Sequence, residues 1–242
     1  MRTAICISGQ PREVEETWRS WSNVLDHLPN PDVFIYTSEQ FSVSKDFFTV
    51  LQPKAYVVES QVRFPDLEAL VRSIGYCGND HINSYLQQIY GWKKVLGLKQ
   101  SYETDFRYDF VVRTRPDLIF LKPITQDMLV LDKINTLRTP EALSITSEFA
   151  IGPNDQMELY LNVFDWLREN GVQKLTRDNP RTVPAVNRLY DPDSILATYL
   201  LDDMGLTLPP TKLPEDYPNR YYFFQIMSRH KKNLYQIEGE IK

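Results

Sequence analysis

Residues Tyr108–Phe120 read YDFVVRTRPDLIF, and the change of character within this stretch decides the fold. Tyr108, Phe110, Val111 and Val112 form a β-branched and aromatic run, the pattern of a central strand buried on both faces of a mixed or parallel sheet. Polarity turns over at Arg113, Thr114, Arg115, Pro116 and Asp117 before Leu118–Leu121 become apolar again. Pro116 restricts Arg115 to extended geometry and carries no ladder donor, which supports a break there. Open α/β sheets bind ligands outside the carboxyl ends of their strands, so charge at this point is a site signal. Two guanidinium forks suit a diphosphate, and a carboxylate suits a hydrated divalent cation or a ribose hydroxyl. The same residues also read as an exposed strand end whose Arg113 and Asp117 pair with neighbours, and the local sequence leaves both readings open.

Working outward toward the amino end, strands and helices alternate. Thr3–Ser8 reads as a strand closing on the turn cluster Ser8, Gly9, Gln10 and Pro11. A helix is predicted after it, with Val14, Trp18, Trp21, Leu25 and Leu28 at helical spacing and Glu13, Glu15 and Glu16 in its first turns. Glycine in a first βα loop lets backbone approach a nucleotide, and it equally makes a plain tight turn. Asp32–Thr37 and Ala55–Glu59 read as buried strands, Lys45–Leu51 and Asp66–Ile74 as short helices, and Gly75–Asp80 as a turn-rich loop. The longest helical pattern runs from Ile82 to about Thr104. Its Tyr85, Tyr90, Trp92 and Tyr102 read as core packing ahead of a sugar platform, and Lys93 and Lys94 as cations within reach of a phosphate at the sheet edge.

Beyond the central stretch the pattern predicts a short helix at Thr125–Leu131, a strand at Asn135–Thr139 and another at Ser144–Ile151 ending on Gly152 and Pro153. Asn154 or Asp155 is the expected cap of a helix carrying Met157, Tyr160, Leu161, Phe164, Trp166 and Leu167. Val172–Leu189, with Lys174, Arg177, Arg181 and Arg188, is weakly periodic and is expected to be a mobile lid or acceptor-facing segment, or else a solvated loop. Pro192 starts a helix through Ile195, Leu196, Tyr199 and Leu200 to Gly205; Leu206–Leu208 reads as a short strand and Tyr221–Met227 as a last apolar element. Lys231–Lys242 reads as a polar, frayed tail. The alternation as a whole is that of the α/β class.

With 42% hydrophobic residues in 242, the chain is long enough to bury a central sheet as a single domain. Sixteen prolines and nine glycines without low-complexity runs predict ordered turns rather than a linker. A formal net charge of −5 gives no electrostatic reason to expect nucleic acid or an anionic membrane as partner, so any phosphate site must be local. Cys6 and Cys77 are too few for a disulfide framework, and His27, His81 and His230 lack metal-ligand spacing. The apolar run at the amino end is short for a signal peptide, and no run approaches the roughly 18 apolar residues of a membrane span. A soluble, cytoplasmic protein is expected.

Four stretches in order, CISGQPR at Cys6–Arg12, VFIYT at Val33–Thr37, YDFVVRTRPDLIF, and SEFAIGPNDQMELY at Ser147–Tyr160, resemble glycosyltransferase-like proteins with a GT-A nucleotide-diphospho-sugar transferase fold, as found in surface-polysaccharide gene clusters and some large viruses. A fifth, DPDSILATYLLDDMG at Asp191–Gly205, is similar to that family's later acidic helix. The resemblance implies a Rossmann-like, mixed and mostly parallel sheet flanked by helices. It implies that Ser8, Gly9 and Arg12 line the nucleotide pocket and that Asp117 occupies the place of the metal-binding acidic motif; two readings stay open, in which Asp117 with the diphosphate holds Mn²⁺ or Mg²⁺, or Arg113 and Arg115 neutralise the leaving diphosphate without a metal. Here Arg115-Pro116-Asp117 offers one acid where the usual motif has two. Glu148 stands where relatives carry an Asp-Gln pair, and Glu148 and Asp155 are the candidates for the acceptor-side base, the latter also readable as a helix cap. The expected function is transfer of a sugar from a nucleotide-sugar donor to a glycan or other hydroxyl acceptor. The alternatives are a sugar nucleotidyltransferase and a non-catalytic nucleotide- or glycan-binding protein on the same fold.

Overall fold

The computed structural model describes residues 1–11, 17–39, 45–73, 82–120, 123–125, 129–138, 145–175, 192–208 and 224–226. Strand β1 (Thr3–Ser8) is buried along its whole length. A 3-10 turn (Trp18–Trp21) and helix α1 (Ser22–Leu25) lead to β2 (Pro31–Ser38), α2 (Lys45–Leu51), β3 (Ala55–Glu59), α3 (Pro65–Ser73) and the long α4 (Ile82–Tyr102). There follow β4 (Phe110–Thr114), β5 (Leu118–Phe120), β6 (Asn135–Arg138) and β7 (Ile145–Pro153). Helices α5 (Asn154–Leu161) and α6 (Val163–Trp166), a π-turn (Leu167–Gly171), α7 (Val172–Lys174), α8 (Pro192–Ala197), a second π-turn (Thr198–Asp203) and β8 (Phe224–Ile226) complete the order.

Six strands form one sheet in the order β3-β2-β1-β4-β7-β6, while β5 and β8 pair in a small antiparallel sheet of their own. β1 is parallel to β2 and to β4, placing Cys6 opposite Phe34 and Arg113, and β2 is parallel to β3. β7 is antiparallel to both β4 and β6, so the other five strands point one way. The fold is thus α/β with a mixed, mostly parallel sheet, as the alternation predicts.

Parallel strands need cover on both faces, and the two-residue period divides the apolar side chains accordingly. Ala4, Cys6, Phe34, Val111 and Ala150 face α3, α4, α5 and α8 in one core. Ile5, Ile7, Val33, Val112 and Ile151 face Trp21, Val24, Phe47, Leu51 and Phe120 in the other. Burial pushes the Cys6 thiol up to about 12, so it stays protonated and packs as a small apolar group. α4 lies close on the sheet because Gly91 has no side chain: a Cβ there would stand 3.0 Å from the Tyr36 ring and 3.4 Å from Ser8 Cβ.

Several expectations are corrected. The helix predicted through Leu28 is a 3-10 turn followed by a single α-turn ending at Leu25, with residues 12–16 outside the described residues. Burial of Trp21, Val24 and Leu28 against the sheet satisfies their spacing without a continuous helix. Leu206–Leu208 forms no strand, and the residues described on either side of 126–128 form no helix. The cap of α5 is Pro153, without a side-chain hydrogen bond, in place of Asn154 or Asp155. The loop at Gly75–Asp80, most of Val172–Leu189 and the tail from Lys231 lie outside the described residues, and the expected lid falls with them. Among the described residues no helix is long and apolar enough to cross a membrane.

At the amino end of β4 the fully buried Lys99 ammonium lies 3.0 Å from Glu103 and 2.7 Å from Glu158, and Arg107 bridges the same two acids. Glu103 also accepts the Tyr108 backbone N–H at 2.9 Å. Burial raises the Glu158 pKa, but the Lys99 hydrogen bond and charge outweigh it and hold the carboxyl below its ordinary 4.5. Its contribution is therefore present above pH 4.5 and is lost as pH falls through the depressed folded value. Lys99→Met, which takes the buried cation from the buried Glu103 carboxylate and the partly exposed Glu158, is expected to cost about 3 kcal/mol at neutral pH. In urea unfolding followed by circular dichroism, that deficit should narrow below pH 4.5 as the Glu158 carboxyl protonates; a deficit independent of pH would mean that the Lys99–Glu158 charge pair contributes none of it.

Candidate functional site

The carboxyl ends of β1, β2 and β4 and the first turns of α4 line an open cleft of about 280 Å³. Its walls are Ser8 and Gly9 after β1, Tyr36 and Thr37 at the end of β2, Gln87 and Gln88 on α4, and Arg115 and Asp117 after β4. This is where an open parallel sheet leaves strand-end groups free for a ligand.

Gly9 makes the corner possible. Its φ of +139° lies where L side chains are strained, and a Cβ would meet Pro116 Cδ at 3.3 Å. Its N–H donates to the Tyr36 carbonyl at 3.3 Å and its carbonyl accepts from Thr37 Oγ1 at 2.9 Å. Thr17 Oγ1 donates to the Pro116 carbonyl at 2.9 Å. The loops after β1 and β4 are therefore locked together, and Arg115 and Asp117 are presented from a rigid edge.

Arg115 grips Asp117 bidentately, Nε to Oδ1 at 2.8 Å and Nη2 to Oδ2 at 2.7 Å. Burial lowers the Arg115 pKa, but the Asp117 hydrogen bond and charge outweigh it, and the net shift is upward. Two residues back, on β4, Arg113 is fully buried. Its guanidinium carbon lies 4.3 Å from the Trp92 ring centroid, and Trp92 in turn stacks on Tyr160 at 5.2 Å. Nε, Nη1 and Nη2 of Arg113 have no hydrogen-bond partner among the described residues. Burial pushes the Arg113 pKa down to about 10, Tyr160 acting against it and Arg115 with it, so the group still carries its charge at neutral pH. Ser8 Oγ and Gln87 Nε2, both at the cleft, likewise lack partners among the described residues.

Of the residues singled out from sequence, Ser8, Gly9, Arg115 and Asp117 meet in the cleft, and Arg113 lies in the core beside it. Glu148 is half-buried on β7, two residues beyond Ala150, the register partner of Arg113. It therefore shares that face of the sheet, and its charge bears on both arginines. Asp155 is not brought to the cleft: Pro153 pairs with Phe110, so the exposed Asp155 lies beyond the amino end of β4. Arg12 lies outside the described residues. Lys93 pairs with Asp165 at 2.7 Å and Lys94 with Glu59 at 3.2 Å, which occupies both expected phosphate cations with structural partners. Sequence reasoning missed Tyr36, Thr37, Gln87 and Gln88. The available signal was the polar cluster Ser84, Gln87 and Gln88 opening an otherwise apolar helix.

The donor set does not suit a protein-held divalent cation. Both Asp117 oxygens are engaged by Arg115, and among the described residues no group of three or more His, Cys, Asp or Glu could hold a metal. Chemistry at this site is accordingly derived from the guanidinium groups, hydroxyls, amides and Glu148.

Gly9→Ala is expected to destabilise by about 1–3 kcal/mol, since it places a side chain in a strained backbone region against Pro116. Calorimetric unfolding checks this, and an unchanged melting temperature would show that the corner relaxes freely.

No protein-family model matches the chain, and no curated protein matches it.

Proposed function

We propose that the protein is a glycosyltransferase of GT-A-like fold that moves a sugar from a nucleotide-diphosphate donor to a glycan or other hydroxyl acceptor. The observation that carries this reading is the cleft at the carboxyl ends of β1, β2 and β4, where Ser8 and Gly9 share the wall with Arg115 and the buried cationic Arg113 acts on Arg115 from the core. Such a reaction needs charge stabilisation where the diphosphate leaves and a base where the acceptor hydroxyl loses its proton. Arg115 and Arg113 supply the first. Glu148, whose charge bears on both arginines, supplies the second: it takes the acceptor O–H proton while the acceptor oxygen bonds to the sugar carbon. The sugar–phosphate C–O bond breaks with its electron pair passing to the phosphate oxygen. The amide and hydroxyl groups of Ser8, Thr37, Gln87 and Gln88 suit the neutral, hydrogen-bonding parts of such a donor.

A non-catalytic nucleotide- or glycan-binding protein on the same fold is the second reading, favoured by the full engagement of Asp117 with Arg115. Incubation with a panel of uridine- and guanosine-diphosphate sugars, with and without oligosaccharide acceptors, separates the two. The enzyme reading predicts release of nucleoside diphosphate, lowered at least about 100-fold in Glu148→Gln without loss of nucleotide affinity. Absence of turnover across the panel supports the binding protein. Formation of a nucleotide-sugar from sugar phosphate and nucleoside triphosphate would instead identify a nucleotidyltransferase.

A further inference from the structure

We infer that the site binds the diphosphate of its ligand without a divalent cation, by an exchange of counter-ions in which the phosphate takes Arg115 from Asp117 and neutralises Arg113, whose nitrogens have no hydrogen-bond partner among the described residues. The inference rests on the nucleotide-diphosphate reading of the cleft and goes beyond it, because it specifies how the anion is held and assigns Asp117 a role opposite to that of a metal ligand.

The geometry at the end of β4 sets the argument. A carboxylate that holds a cation needs free lone pairs facing the ligand, whereas Asp117 directs both oxygens at the Arg115 fork, at 2.8 and 2.7 Å, and is almost wholly buried in doing so. Asp117 thus neutralises Arg115 as long as no ligand is bound. Arg113 has no such partner: it is fully buried, rests on Trp92, and none of its three nitrogens is hydrogen-bonded among the described residues. A cation kept in that state costs stability, and it represents binding energy available to an anion that reaches it. The cation–π contact with Trp92 holds the guanidinium in place without satisfying its donors. Two guanidinium groups two residues apart, Arg113 on β4 and Arg115 just after it, can take the role that a divalent cation plays beside a diphosphate. In this arrangement Asp117 competes with the phosphate for Arg115, so that removing its charge favours the ligand.

Calorimetric titration of the full chain with uridine diphosphate and guanosine diphosphate, in chelator and in Mn²⁺, tests this. The expected result is the same affinity in both buffers for whichever nucleotide binds. Asp117→Asn should bind at least as tightly as the parent, and several-fold tighter if Arg115 is released. Arg113→Met should bind about tenfold or more weakly, with a melting temperature equal to or above that of the parent, as expected when an uncompensated buried charge is replaced by an apolar group of similar length. Binding that requires Mn²⁺ and disappears in Asp117→Asn would overturn the inference and leave the nucleotide reading intact. A lower melting temperature with unchanged affinity in Arg113→Met would make Arg113 a structural residue and also overturn it. Failure of both nucleotides to bind in both buffers would remove the nucleotide reading and this inference together.

Discussion

The guanidinium of Arg113 lies 4.3 Å from the Trp92 ring centroid with no hydrogen-bonded counter-ion among the described residues, and taking a charge out of water into such surroundings costs several kcal/mol. Much of the molecule can be understood from how it carries that cost. Helix α4 carries a second buried cation, Lys99, near the amino end of β4, and there the solution is the opposite: Glu103 and Glu158 both lie within 3.0 Å. One end of the strand is electrostatically satisfied and the other is left wanting an anion. Local departures from full satisfaction are expected where a protein binds or reacts, with stability supplied elsewhere.

The surroundings of the unsatisfied end are correspondingly rigid. Two apolar layers clamp the sheet, and Gly91 lets α4 approach closely enough for its first turns to line the cleft. The Gly9 corner abuts Pro116, so the register of β1 against β4 fixes where Arg115 and Asp117 stand relative to Ser8 and Thr37. Preorganised donors of this kind make charge stabilisation effective, because little reorganisation is needed when charge develops. Glu148 reaches the same face only because β7 runs antiparallel beside β4.

Elements whose identity depends on unbroken apolar character were legible in the sequence. Thr3–Ser8, Ala55–Glu59 and Lys45–Leu51 have the boundaries read from composition, and the stretch around Val111 proved central and buried. The site was legible as far as local alternation reaches: residues 111, 113 and 115 share a face on any strand. What local sequence could not show was direction and partnership. Asp155 lies just past Pro153, the strand end that pairs with Phe110, and the antiparallel register of β7 places it at the wrong end of the sheet. Lys93 and Lys94 looked available because Asp165 and Glu59 are distant in sequence. Trp92 read as core packing and is core packing, yet it is also the platform under Arg113. The interrupted segment at Trp18–Leu25 shows tertiary burial satisfying helical spacing with shorter turns.

The central claim is that the charge of Arg113 is held for a ligand anion rather than for the fold. Nuclear magnetic resonance of the arginine Nε–Hε groups addresses it at the atom concerned, with the Arg113 signal assigned by its loss in Arg113→Met. The account predicts that this signal and that of Arg115 move together as a nucleoside diphosphate is added in chelator, at the same ligand concentration that saturates binding. A saturating titration in which the Arg113 signal stays where it is in the free protein would contradict it.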